Sequence, residues 1–153
     1  MPIFYIDGQS QGNEQNSLPR KAKIAIAYSE SLATVNASKL KIYWQPIGDR
    51  TNNEAEYYAL LEALELIAEK AVGKVPGNIG EALVRSDSKL VVNQVNGEWR
   101  VEDEKLIELS EKARDLIKNL GSVRLEWVPR DENYAGLWLE GKLKPFSVER
   151  LRE

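Results

Sequence analysis

Residues 51–71 read Thr51-Asn52-Asn53-Glu54-Ala55-Glu56-Tyr57-Tyr58-Ala59-Leu60-Leu61-Glu62-Ala63-Leu64-Glu65-Leu66-Ile67-Ala68-Glu69-Lys70-Ala71, and here the chain changes period. Thr51 with Glu54 three residues on is a capping-box signature, in which each side chain satisfies the other's backbone amide at a helix start. Behind it Leu60, Leu61, Leu64 and Ile67 recur at helical spacing, which predicts a helix over residues 52–71. Upstream the pattern alternates instead. Ile3-Phe4-Tyr5-Ile6-Asp7-Gly8 is rich in strand formers and ends on an acid and a glycine, with a polar loop expected from Gln9 to Lys21. Lys23 to Tyr28 and Leu40 to Trp44 also read as strands, and their short connections favour an antiparallel meander, because a parallel crossover needs about a dozen residues or more. Downstream, Gly73 to Gly80 with Pro76 breaks the helix, and Ala82-Leu83-Val84-Arg85 reads as a buried strand running into Ser86-Asp87. A short helix through Leu90 and Val91 is expected next, then a turn at Asn96-Gly97. Leu106, Leu109, Ala113, Leu116 and Leu120 trace one apolar stripe closed by Gly121, a second long helix. Val123, Leu125 and Trp127 alternate with Arg124 and Glu126 ahead of Pro129, a fifth strand followed by a short helix. The order predicts an α/β fold: a five-stranded mixed sheet, three antiparallel strands then two parallel, flanked by helices.

The chain has 153 residues, 42% of them hydrophobic, which suits a single domain over residues 1–153. No apolar run approaches the roughly 20 residues of a membrane helix, and the N-terminus lacks the flank and cleavage site of a signal peptide. The expectation is a cytoplasmic protein that works as a monomer and has no membrane partner. There is no Cys, which excludes disulfides and thiolate zinc sites, and no His, which removes the usual base near neutrality. Catalysis must then run on carboxylates, Lys, Tyr or a bound metal. A net charge of −3 argues against an indiscriminate DNA-coating protein, though basic residues are grouped at Arg20, Lys21 and Lys23 and at Lys142 and Lys144.

Three acids stand out. Asp7 closes an apolar strand, where an unpaired carboxylate is costly to bury, so it needs a cation or strong donors; alone it also reads as a turn cap. Asp87 follows a buried strand and precedes a helix, and alone it also reads as an ordinary helix N-cap. Glu56 lies on the helix face of Leu60, Ala63 and Ile67, away from Glu54, Glu62, Glu65 and Glu69; its bland reading is one surface glutamate among many. Three such acids converging from two strands and a helix make a hard-oxygen site suited to Mg²⁺ or Mn²⁺.

Tyr5-Ile6-Asp7-Gly8 with Gly12-Asn13, Thr51-Asn52-Asn53-Glu54-Ala55-Glu56, and Arg85-Ser86-Asp87-Ser88 together resemble the ribonuclease H family. Val95 to Val101 and Trp127 to Asn133 look like further segments of its short prokaryotic and archaeal members, so the resemblance spans residues 3 to about 140. It implies a type 1 ribonuclease H-like fold and an endonuclease that cuts the RNA strand of an RNA–DNA hybrid by a two-metal mechanism, with Mg²⁺ as cofactor and Mn²⁺ as substitute. Asp7, Glu56 and Asp87 carry over as metal-binding catalytic acids. Asn52 and Asn53 carry over as holders of the nucleic-acid backbone, and Gly8, Asn13, Thr51 and Ser88 as substrate-side residues of the same motifs. The family's fourth acid falls four residues after the position matched by Asn133, where this chain has Leu137. Glu140, three positions further on a helical face, is the preferred fourth ligand; Asp131 and Glu132 are rivals, and all three also read as surface acids. The loop histidine of many members has no counterpart, and Asn13 to Arg20 replaces the usual glycine- and proline-rich loop. Other readings are a non-catalytic hybrid- or RNA-binding module, a nuclease for double-stranded RNA, and a structural domain of a larger assembly. Trp44, Trp99 and Trp138 suit either stacking on nucleic acid or the core, and the core is the simpler assignment. Lys142, Lys144, Arg150 and Arg152 read as a solvated tail.

Overall fold

The capping box at Thr51 forms as written: Glu54 N donates to Thr51 Oγ1 at 3.1 Å and Thr51 N donates to Glu54 Oε1 at 3.0 Å. They open helix α1, Asn52–Ala71. The structure, a computed structural model, describes residues 1–11, 19–31, 33, 35–71 and 81–152. Before α1 come β1 (Ile3–Gln11), β2 (Lys21–Ser29) and β3 (Lys41–Gly48). After it come β4 (Ala82–Ser86), α2 (Lys89–Val95), α3 (Glu104–Leu120), β5 (Val123–Trp127), α4 (Tyr134–Leu139) and β6 (Ser147–Arg150). The break expected over Gly73 to Gly80 lies outside the described residues. No described helix is long and apolar enough to cross a membrane.

One mixed sheet runs β5-β4-β1-β2-β3-β6. β1, β2 and β3 form the expected antiparallel meander, and β4 and β5 add in parallel on the far side of β1. Alternation along β1 divides the core between two faces. Phe4 and Ile6 join Tyr57, Leu60, Ala63, Leu64 and Ile67 of α1 and Leu106, Leu109 and Ala113 of α3. Ile3 and Tyr5 join Ala135 and the flank of α4 on the other face, where the Tyr5 and Tyr134 rings meet edge-on at 4.9 Å.

The sequence reading needs three corrections. The sheet has six strands, not five: β6 pairs in parallel with β3, from Lys41↔Ser147 to Trp44↔Arg150. Ser147-Val148-Glu149-Arg150 has no apolar alternation to reveal it, because this strand forms by covering the open edge of β3 and its side chains are mostly exposed. The same strand takes Arg150 out of the solvated tail and over the Trp44 ring, while Arg152 pairs with Glu62. Second, β1 does not end at Gly8; Gln9–Gln11 continue it against Lys21–Lys23, so Asp7 is mid-strand. Third, Trp99 is 47% exposed and is no core residue, whereas Trp44 and Trp138 pack with ring centroids 6.4 Å apart.

Candidate metal centre

The pairing of β1 with β4 stops at Ile6↔Ser86, while β1 runs on for five more residues beside β2. At the notch left by the end of β4, three carboxyl groups meet. Asp7 comes from the middle of β1, Asp87 from the residue after β4, and Glu56 from the second turn of α1; each offers an oxygen within 4.8 Å of the others. Among the described residues this is the one such group of acids.

Gly8 lets α1 reach the notch. A Cβ at this position would lie 2.2 Å from the Ala55 carbonyl carbon and 2.5 Å from Glu56 N, so only a glycine permits the helix backbone to rest on the strand. With β4 ended, the Gly8 amide is available, and it donates to Glu56 Oε1 at 2.6 Å. The second oxygen, Glu56 Oε2, is buried without a donor among the described residues. A buried carboxylate oxygen left bare is expensive, so it needs a proton or a cation. Burial pushes the Glu56 carboxyl well above the usual carboxylate range, and the Asp7 charge pushes it further. Asp7 itself is fully buried, and burial raises its pKa to about 6 despite the charge of Arg130 and the donor of Gln9.

Asp87 is 11% exposed and oriented from two sides. Asn133, wholly buried, donates through Nδ2 to Asp87 Oδ2 at 3.0 Å and to the Ile6 carbonyl at 2.8 Å, while its Oδ1 accepts from Ala135 N. The Trp127 indole donates to the Asp87 carbonyl at 3.1 Å. Asp87 is not the helix cap that its position alone allowed: Ser88 caps α2, accepting from Val91 N at 3.2 Å.

The substrate-side residues of the sequence reading are occupied in different ways. Asn52 Oδ1 accepts from Ser10 N at 2.8 Å, tying α1 to β1, and Thr51 is engaged in the capping box. Gly8 serves Glu56, Ser88 caps α2, and Asn53 is exposed in the first turn of α1. Asn13 lies outside the described residues. Of the fourth-acid candidates, Asp131 and Glu132 are exposed on a short turn. Glu140, the C-cap of α4, stands outside the trio and binds Arg130 at 2.8 Å.

Arg130 and Asn133 had no assigned role in the sequence reading. Arg130 Nη1 lies 3.3 Å from Asp7 Oδ1 and 3.2 Å from Asp87 Oδ2. A signal existed: a turn leaving the end of β5, which runs beside β4 in register Ser86↔Trp127, must pass next to Asp87. Residues 134–139 place Gly136 on Asp7, where a Cβ would approach Oδ2 to 3.4 Å.

A mixed sheet of this order, with acids from the central strand, the helix across it and the end of the neighbouring parallel strand, defines a ribonuclease H-like protein. The family described as reverse transcriptase-like matches residues 23–139, and the chain belongs to this ribonuclease H-type family. It is similar to the bifunctional protein Rv2228c of Mycobacterium tuberculosis, with 36% identity over 132 residues, covering 86% of this chain and 32% of that one. The chain thus spans about a third of the length of that relative. Among solved structures, RNase H1 from the halophilic archaeon Halobacterium salinarum superimposes with a TM-score of 0.71 at 28% identity, covering 93% of each chain. LC11-RNase H1 in complex with an RNA/DNA hybrid also gives 0.71, at 29% identity over 87% of this chain and 88% of that one.

Proposed function

We propose that the chain is a divalent-metal-dependent endonuclease that hydrolyses the RNA strand of RNA–DNA hybrids. The observation that carries this reading is Glu56 Oε2, a buried oxygen with no donor among the described residues, set among oxygens of Asp7 and Asp87. A donor set made only of carboxylate oxygens fits Mg²⁺ or Mn²⁺ and not zinc. Asp7, Glu56 and Asp87 would hold the metal, and a pair of ions bound there supplies charge stabilisation for an in-line phosphoryl displacement. Everything else is the work of the chain. Gly8 fixes the rotamer of Glu56, Asn133 and Trp127 fix Asp87, and the sheet fixes Asp7, so the three carboxyls are set before substrate arrives. Water adds to phosphorus and gives a proton to solvent, the bond to the 3′ oxygen breaks, and that oxygen takes a proton from solvent, giving a 3′-hydroxyl and a 5′-phosphate. The exposure of Asn53 supports its reading as a contact to the nucleic-acid backbone, and selection of a hybrid would rest on 2′-hydroxyl contacts in a shallow minor groove. The hybrid in the complex of LC11-RNase H1 supports this substrate class.

A second reading, a hybrid-binding module without activity, is favoured by Leu137 at the place of the family's fourth acid. Labelled hybrid, double-stranded RNA and single-stranded RNA, each incubated with the chain and Mg²⁺, separate the two. Hybrid cleavage that falls roughly a hundredfold or more in Asp7→Asn and Glu56→Gln supports the nuclease. Hybrid binding without cleavage by the wild type selects the module, and faster cleavage of double-stranded RNA than of hybrid refutes the substrate assignment.

A further inference from the structure

We propose that Arg130 is a resident counter-ion, competing with divalent metal for Asp7 and Asp87, and that Glu140 is a positioning residue that holds the guanidinium rather than a metal ligand. The inference rests on reading the three acids as a metal site. A single amine of Arg130, Nη1, spans the two strands, at 3.3 Å from Asp7 Oδ1 and 3.2 Å from Asp87 Oδ2. The other edge of the same fork, Nε and Nη2, is bound to Glu140 Oε1 at 3.1 and 2.8 Å, and Lys142 Nζ holds the second Glu140 oxygen at 3.2 Å. One cation thus bridges the two acids. The Arg130 side chain is 48% exposed while Asp7 is fully buried, so the guanidinium lies on the solvent side of the acids.

Two properties of a guanidinium make this a competition. It stays protonated at every accessible pH, so it leaves the acids only by moving, never by losing its charge. Left in place, it also repels a divalent ion at the distance of one contact. Glu140 opposes it: bound to Nε and Nη2, the other edge of the fork, it shares the charge of Arg130 with Asp7 and Asp87 and stays its partner when Nη1 leaves them. Removing the two residues must therefore shift metal affinity in opposite directions, whereas a Glu140 that ligated metal directly would weaken binding whether or not Arg130 were present.

The test is calorimetric titration of the whole chain with Mn²⁺ without nucleic acid, on wild type, Arg130→Gln, Glu140→Gln and the double variant, with thermal melting to confirm folding. Arg130→Met, which keeps the aliphatic stem, is run beside Arg130→Gln. The expected result is binding about tenfold tighter in both Arg130 variants, weaker in Glu140→Gln, and equal to Arg130→Gln in the double variant. Unchanged or weaker binding in the Arg130 variants overturns the counter-ion. Weakening by Glu140→Gln that persists beside Arg130→Gln makes Glu140 a ligand and overturns its positioning role. Asp7→Asn is the control for the underlying reading: if it binds Mn²⁺ as the wild type does, the metal site itself is lost along with the proposal.

Discussion

Replacing Asp7 by Asn should make the metal-free protein more stable while abolishing its response to metal. Burial holds the Asp7 carboxyl at about 6, roughly two units above its usual value of 3.8. At pH 7 the native chain therefore carries an ionised group that the unfolded chain ionises more cheaply, and two units amount to about 3 kcal/mol. Asn has the shape of the protonated acid and cannot ionise. Its oxygen can still accept from Gln9 Nε2, which lies 3.2 Å from Asp7 Oδ2 in the native protein, and Arg130 keeps Asp87 and Glu140. The gain should therefore be about 2–3 kcal/mol, or roughly 5–10 °C in melting temperature for a chain of this size. Urea denaturation followed by circular dichroism at pH 7, once with chelator and once with excess Mg²⁺, measures both effects. The wild type should gain stability from Mg²⁺ and Asp7→Asn should not. A variant less stable than wild type in chelator, or one that gains as much from Mg²⁺, would refute the assignment of Asp7 as a strained, metal-awaiting acid.

Gly8→Ala should cost about 3 kcal/mol or more in urea denaturation, since the new methyl meets Ala55 and Glu56 backbone at 2.2–2.5 Å; tolerance of alanine would contradict the close seating of α1 on β1. The pH response follows from Asp7, whose native pKa is raised: its favourable contribution is complete below about 3.8 and lost as pH rises through about 6. In chelator, wild type should lose stability relative to Asp7→Asn across that window, while Mg²⁺ affinity rises with release of protons, measurable by calorimetry in two buffers. A stability difference independent of pH would count against it. Asn133→Ala should cost about 2 kcal/mol, because the Ile6 carbonyl and Asp87 lose a buried donor, and it should slow hybrid cleavage at saturating Mg²⁺; full activity would show that Asp87 needs no such support.

The long elements were legible because their signals are local. Thr51 with Glu54 and the Leu60–Ile67 stripe need no knowledge of the rest of the chain, and the same holds for the stripe of α3 with its Gly121 stop. Asp7, Glu56 and Asp87 were legible because each breaks a pattern: an acid in an apolar strand, an acid on an apolar helix face, an acid closing a buried strand. What escaped depends on partners far away. β6 has a strand's hydrogen bonds and no strand's pattern, and Gln9–Gln11 look like loop until β2 is placed beside them. Arg130 in a turn looks like any surface arginine, and becomes informative only once Asp7, 123 residues earlier, lies within reach of it.

The register of the central strand has a kinetic consequence. Ile3 pairs with Leu83, so β1 receives its parallel neighbour only after some 80 residues of chain have been folded back, whereas β2 reaches it through a short connection. Local contacts form early and distant ones late, since the loop-closure entropy must be met first. The β1–β2–β3 meander can thus assemble with Asp7 in place and no partner acid beside it. Asp87 and the Arg130 turn arrive only as β4 and β5 dock, making the carboxyl cluster a late event of folding. Divalent metal should accordingly hold the finished chain together longer, slowing unfolding, while leaving the rate of refolding nearly untouched.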